Sequence, residues 1–172
     1  MQTEEQVKAL LDRPLDYPGL VQRRGARERF RIWRRPAFDP ETVWAVISDD
    51  SGDWFVRRVV HTRHFRGGEI FHDTFGAEGS LSERVAVPLL RRLTAIPVVP
   101  LVERDAHLIV LDGACHGIEI RDSRYCFSVS WHCAAPPEWH PLRDWFAAAV
   151  GALESALPPS SAPLQVNHPW VE

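Results

Sequence analysis

The sequence predicts an α+β fold: one domain built on a largely antiparallel sheet of about five to six strands, with an N-terminal helix, a middle helix and a C-terminal amphipathic helix packed on it. Two observations carry the prediction. Helical and strand patterns come in the order helix, three strands, helix, three strands, helix, and the strands within each group are joined by short turn-forming links rather than by helices. The 172 residues are 45% hydrophobic and 25% charged, which suits a single domain with its own core and excludes a disordered, collagen-like or membrane-spanning chain.

The first helix is expected over Glu4 to Leu11. Thr3 and Gln6 have the spacing of a capping box, Val7, Leu10 and Leu11 share a face, and Pro14 ends the run. Strands are expected at Phe30 to Trp33, Thr42 to Ile47 and Trp54 to Val60, where β-branched and aromatic residues concentrate. Between the last two, Ser48-Asp49-Asp50-Ser51-Gly52-Asp53 reads as a hairpin turn, because Asp and Gly tolerate the positive φ that tight turns require.

From Arg66 to Gly79 four glycines predict a loop, with a short strand at Glu69 to Phe71. Ser80 and Glu83 form a second capping box ahead of a helix through Val85, Leu89 and Leu93, with Pro88 deep enough to kink it. Three more strands follow, at His107 to Leu111, His116 to Ile120 and Tyr125 to Trp131. In the last, Tyr125, Phe127, Val129 and Trp131 fall on one face and Cys126, Ser128, Ser130 and His132 on the other. The strongest element runs from Pro141 to Leu157, its apolar positions repeating with helical period. The domain is therefore expected over residues 1–157, with a Pro- and Ser-rich tail at 158–172 that Trp170 could anchor.

Charge and cysteine content bound the function. Twenty basic residues against 23 acidic ones leave a net charge of -3, which implies neither a nucleic acid nor a membrane partner. Nineteen of the 20 basic residues are Arg, a bias that points to a GC-rich, bacterial coding genome. Three cysteines, Cys115, Cys126 and Cys133, form no disulfide framework and suit reduced thiols in a cytosol. The N-terminal residues carry no basic start followed by an apolar run, so a cytoplasmic location is expected.

Glycine-rich phosphate loops, HExxH, CxxC and GxSxG are all missing from the sequence. His61 and His64 stand three apart and would point to opposite faces of a continuing strand, so no metal site and no cofactor is expected there. Cys115, His116, Cys126 and His132 could converge only if the last strands are neighbours in a suitable register. A small enzyme using the His and Cys residues between His107 and Cys133 is thus the rival class, without an assigned catalytic residue.

Binding is the leading class, through two surfaces. The turn Asp49, Asp50 and Asp53, flanked by Trp44 and Trp54, is an acidic tip able to engage a basic cleft on another protein. On a strand Arg29, Arg31, Trp33 and Arg35 would share a face, attractive to an acidic protein surface or, as an alternative, to single-stranded nucleic acid. The expected partner-binding residues are accordingly Asp49, Asp50, Asp53, Trp54, Arg29, Arg31 and Trp33.

The run from Leu111-Asp112-Gly113 through Ile118-Glu119-Ile120 and Ser128-Val129-Ser130-Trp131 to Pro137-Glu138-Trp139-His140-Pro141-Leu142 resembles a layout met in small bacterial α+β proteins of the immunity-protein type. The resemblance covers about 45 residues of the 172 and carries no site residue. It implies a cytosolic single-domain protein that acts by binding, with a toxin-like protein as partner.

Overall fold

The computed structural model describes residues 2–38, 40–97, 113–121, 126–133 and 135–161. The expected strand at His107 to Leu111 and the tail beyond residue 161, Trp170 included, lie outside them. Within them the chain is a single α+β domain: α1 (Glu4–Asp12), a 3-10 turn (Pro14–Asp16), β1 (Arg27–Pro36), β2 (Glu41–Ser48), β3 (Trp54–Arg66), β4 (Glu69–Leu81), α2 (Glu83–Ala95), β5 (Ala114–Arg121), β6 (Cys126–His132) and α3 (His140–Ser155). The six strands form one sheet in the order β4-β3-β2-β1-β5-β6, and every neighbouring pair is antiparallel. No helix among the described residues is long and apolar enough to cross a membrane.

Both faces of the sheet are covered, by different helices. The front face carries Phe30, Ile32, Trp44, Val46, Val56, Ile118 and Ile120, which pack with α2 and α3 through Leu89, Leu93, Trp145, Phe146 and Leu153. On the back face Val7 and Leu11 of α1 lie over Val43 and Val59, and Leu15 packs over Ala45, Ile47 and Phe55. β2 is therefore buried on both sides from Val43 to Ile47, which explains its unbroken apolar run. The capping box of α1 forms as expected: Thr3 Oγ1 accepts from Gln6 N at 3.2 Å and Gln6 Oε1 from Thr3 N at 2.9 Å.

Three expectations are corrected. The glycine-containing stretch from Glu69 onward is the 13-residue strand β4, not a loop. Its glycines mark close approaches instead: a Cβ on Gly76 would stand 2.3 Å from the Tyr17 ring, and one on Gly79 would stand 2.0 Å from the Ala156 carbonyl oxygen. β4 then continues through Ser80 and Leu81, so the α2 N-cap is Ser82 and the Ser80–Glu83 capping box does not form. Finally, β1 bulges between Glu28 and Phe30: Glu28 pairs with Ile47 and Phe30 with Val46, leaving Arg29 as an extra residue turned to the front face.

Candidate functional site

The back face is ordered as rows of side chains that run across the strands. One row is Ser128, Glu119, Arg31, Ala45, Arg57 and Glu78, a line of charges under α1 and the 3-10 turn. Arg31 is 6% exposed and donates from Nη2 to Glu119 Oε2 at 2.9 Å and from Nη1 to the Asp12 carbonyl, where it ties down the end of α1. Burial pushes the Glu119 carboxyl up, but hydrogen bonds from Arg31 and Arg121 overcome it and hold the group below the usual carboxylate range. Burial raises Glu28 beside them. Arg31, expected as a contact residue, is thus committed to the fold.

The next row includes Ser130, Gly117, Trp33, Val43 and Val59. Trp33 lies flat on Gly117, where any Cβ would meet its ring at 2.0 Å. Arg35 stacks 5.8 Å above the same ring and is ion-paired with Glu41. A groove of about 190 Å³ opens beside α1 here, lined by Leu11, Arg31, Trp33, Arg35, Glu119 and Ser128. Of its charged lining groups, Arg31, Glu119 and Arg35 are paired within the protein. Arg29 stands on the other face, 5.7 Å over the half-buried Trp54. The expected Arg29, Arg31, Trp33 and Arg35 face does not exist as one surface.

The acidic turn is also shaped by internal bonds. Asp49 Oδ1 accepts from the backbone N–H groups of Ser51 at 2.9 Å and Asp53 at 3.1 Å, the local bonding that makes Asp a turn residue. Asp50 and Asp53 are exposed, with Asp50 lying against Gly25. Hydrogen bonding to Glu78 raises the Arg23 guanidinium, and Asp49 and Asp53 add to this. Of the seven expected contact residues, only Asp50 and Asp53 are both exposed and without a partner in the pairs described.

The His and Cys residues separate by face. Cys115 stands opposite His132 on the back face, and burial pushes its thiol up. His116 faces front, stacked on Trp131 at 5.6 Å and edge-on to Phe146 at 5.3 Å. Cys126 sits at the far end of β6 against Arg121. The last strands are neighbours, but their register keeps these four apart, and among the described residues no group of three or more His, Cys, Asp or Glu side chains is arranged to hold a metal ion by itself.

Burial holds His116 below the ordinary histidine value. The unfolded chain binds its proton near pH 6.5 and the folded protein only at lower pH, so stability is full above about 6.5 and falls as pH drops toward the folded value. Denaturant titrations between pH 7.5 and 5.5 are expected to show a shallower loss of stability in His116→Phe than in the wild-type protein. Equal slopes would rule out this role.

What the sequence reading missed is at the end of the sheet. β3 and β4 pair from Trp54–Leu81 to Arg66–Glu69, while β2 stops at the Glu41–His61 pair. Residues Thr62–Arg66 and Glu69–Asp73 therefore project as a two-stranded ribbon, closed by Gly67 (φ 62°) and Gly68 (φ 85°), the two positive φ values a tight hairpin needs. Phe65 and Ile70 face each other at its tip and are 77% and 51% exposed. Phe38, 67% exposed, lies in the β1–β2 connection at the same end. The Gly-Gly pair between two β-branched and aromatic runs was the available signal.

At the ribbon's root, His61 Nε2 and His72 Nδ1 are 3.0 Å apart, and His61 Nδ1 faces Glu41 Oε2 at 3.6 Å. His64 turns to the opposite face, as its spacing predicts, and bonds Thr62 Oγ1 at 3.0 Å. Gln2 bridges the outer side of β4 at His72, and its amide Nε2 donates to Thr74 Oγ1 at 2.9 Å. No family model, curated protein or solved structure matches this chain.

Proposed function

We propose that the chain is a non-catalytic protein-binding domain of the immunity type, which occludes a toxin-like protein, and that the ribbon end of the sheet makes the contact. The observation that carries this reading is the clustering of exposed apolar side chains. Among the described residues four large apolar side chains are exposed, and three of them, Phe38, Phe65 and Ile70, lie at that one end. Scattered exposed apolar residues are ordinary, whereas a cluster with aromatic anchors is what interface centres are made of. The ribbon is held by the continuous β3–β4 pairing, so its tip is presented without an ordering cost of the kind a floppy loop would bear.

The acidic turn takes a secondary place. It sits at the opposite end of β3, and 13 residues of strand separate the two ends by about 40 Å. Asp50 and Asp53 can steer a basic partner from there but cannot share one compact interface with Phe65. The groups once grouped as an Arg and Trp face are consumed by Glu119, Glu41 and Trp54, which supports protein over nucleic acid as partner.

The test is retention of a partner from native lysate at high salt by three baits: wild type, a Phe65→Asp/Ile70→Asp variant and an Asp50→Lys/Asp53→Lys variant. Exposed substitutions of this kind shift stability by only about 0.5 kcal/mol. A stoichiometric protein held by wild type and the Asp50→Lys/Asp53→Lys variant but lost from the Phe65→Asp/Ile70→Asp variant is the expected result. A partner held equally by the ribbon variant, or none held by wild type, would overturn the assignment.

A further inference from the structure

The His61–His72 pair is more than a cross-strand contact. The ring planes differ by 20° and the centroids are 5.3 Å apart, so with nitrogens 3.0 Å from one another the rings meet edge to edge, nitrogen facing nitrogen. One of the two nitrogens must carry a proton for the pair to hold as it stands. Glu41, on the neighbouring strand directly opposite His61, favours the proton on His61 Nδ1 and leaves His61 Nε2 with its lone pair toward His72. This carboxylate–imidazole arrangement is the one that orients metal-ligating histidines.

A third donor is at hand and unsatisfied. Gln2 Oε1 is buried and has no hydrogen-bond partner. The Gln2 backbone bridges His72, its amide nitrogen donates to Thr74 Oγ1, and Thr74 pairs with His61 across β3 and β4, so the amide is anchored at Thr74, on the face of β4 that carries His72. A buried carbonyl oxygen without a donor calls for a water or a cation.

We infer that the ribbon root is a site for one first-row divalent cation of the zinc class, held by His61 Nε2, His72 Nδ1 and the Gln2 side-chain oxygen, with solvent completing a four-coordinate shell. Two imidazole nitrogens bound at ~2.0–2.1 Å to a tetrahedral ion stand about 3.3 Å apart. The pair needs to open by a few tenths of an ångström, with His72 passing its Nδ1 proton to solvent and taking one at Nε2, so that the neutral ring offers its Nδ1 lone pair, and both rings tilting so that the lone pairs meet off the N–N line. His72, half-buried on the outer strand, has the room to do so. The charges around the site are Glu41, its ion-pair partner Arg35, and Arg63, which stands opposite His72 in the ladder; Asp73 and His64 pair on the opposite face. A bound ion would fasten the N-terminal residues to the base of the ribbon, independently of what the ribbon binds.

Titration of the full, tag-free chain with Zn²⁺ alone, followed calorimetrically and by melting temperature, tests the site, with Co²⁺ absorption reporting nitrogen and oxygen ligation. One Zn²⁺ per chain is expected, with a rise in melting temperature, both lost in His72→Ala and in His61→Ala. Glu41→Gln should weaken binding about 10- to 100-fold, as loss of an orienting carboxylate does. A Cys126→Ser/Cys133→Ser variant should bind as wild type, since those exposed thiols are the competing zinc ligands. Binding that is absent, that survives in His72→Ala, or that vanishes with the two thiols would overturn the proposal.

Discussion

Replacing Arg57 with alanine is expected to cost about 3–5 kcal/mol of unfolding free energy, the range for breaking a buried, hydrogen-bonded ion pair by removing one partner. Arg57 is 1% exposed in the middle of β3. Its Nε donates to Glu78 Oε2 at 2.7 Å, while its two terminal nitrogens donate to the backbone carbonyls of Pro14, Leu15 and Val21. Those carbonyls belong to the segment between α1 and β1, which has no sheet partner of its own. The truncation removes a donor from each of the three carbonyls, of which Pro14 keeps Tyr17 N and Leu15 keeps Gln22 Nε2, and leaves the Glu78 carboxylate with only Arg23 beside it.

An Arg57→Met protein separates charge from packing, because it keeps most of the stem volume while removing the donors. It should recover little of the loss, since Glu78 still lacks its buried guanidinium partner and the carbonyls still lack its donors. Urea unfolding of the three proteins is the measurement. A loss below about 1 kcal/mol in Arg57→Ala would show that water reaches these carbonyls and that the guanidinium is not their keeper.

Trp145→Ala is the second large effect, expected at about 3–5 kcal/mol, the usual cost of truncating a buried aromatic side chain. Trp145 is 2% exposed and joins three elements: it belongs to α3, meets Phe30 of β1 edge-on at 5.6 Å and donates from Nε1 to the Leu89 carbonyl of α2 at 3.0 Å. The indole thus holds two helices to the sheet at once, and the hole it leaves lies where neither helix can close in without leaving the other. Trp145→Phe should lose less, because it fills part of the volume and gives up only the single bond to Leu89. A Phe variant as unstable as the Ala variant would mean that the hydrogen bond, and not the volume, holds α2 in place.

Much of the architecture is legible in local pattern. The capping box at Thr3 and Gln6, the strict alternation along β6 and the apolar stripe of α3 are each satisfied by bonds and packing within or next to their own element. β4 was illegible for the opposite reason. Gly76 and Gly79 look like loop residues, yet they are small because Tyr17 and Ala156, 59 and 77 residues away in sequence, press on them. The functional surfaces suffered from the same blindness. Alternation places Arg29 with Arg31 and Trp33, but a single extra residue at the bulge moves it to the other face, since side-chain direction in a strand has period two.

The sequence by itself determined the α+β class, the antiparallel connections and most helix and strand positions, because periodicity, caps and turn residues act over a few neighbours. Only the tertiary structure decided that Arg31 and Arg57 are internal braces, that β3 and β4 outrun the sheet as a ribbon, and that Glu41, His61 and His72 meet at its root with Gln2 bridged alongside. Those outcomes depend on strand register and on which helix covers which face, and both are fixed by the summed packing of the whole sheet rather than by any local run of residues.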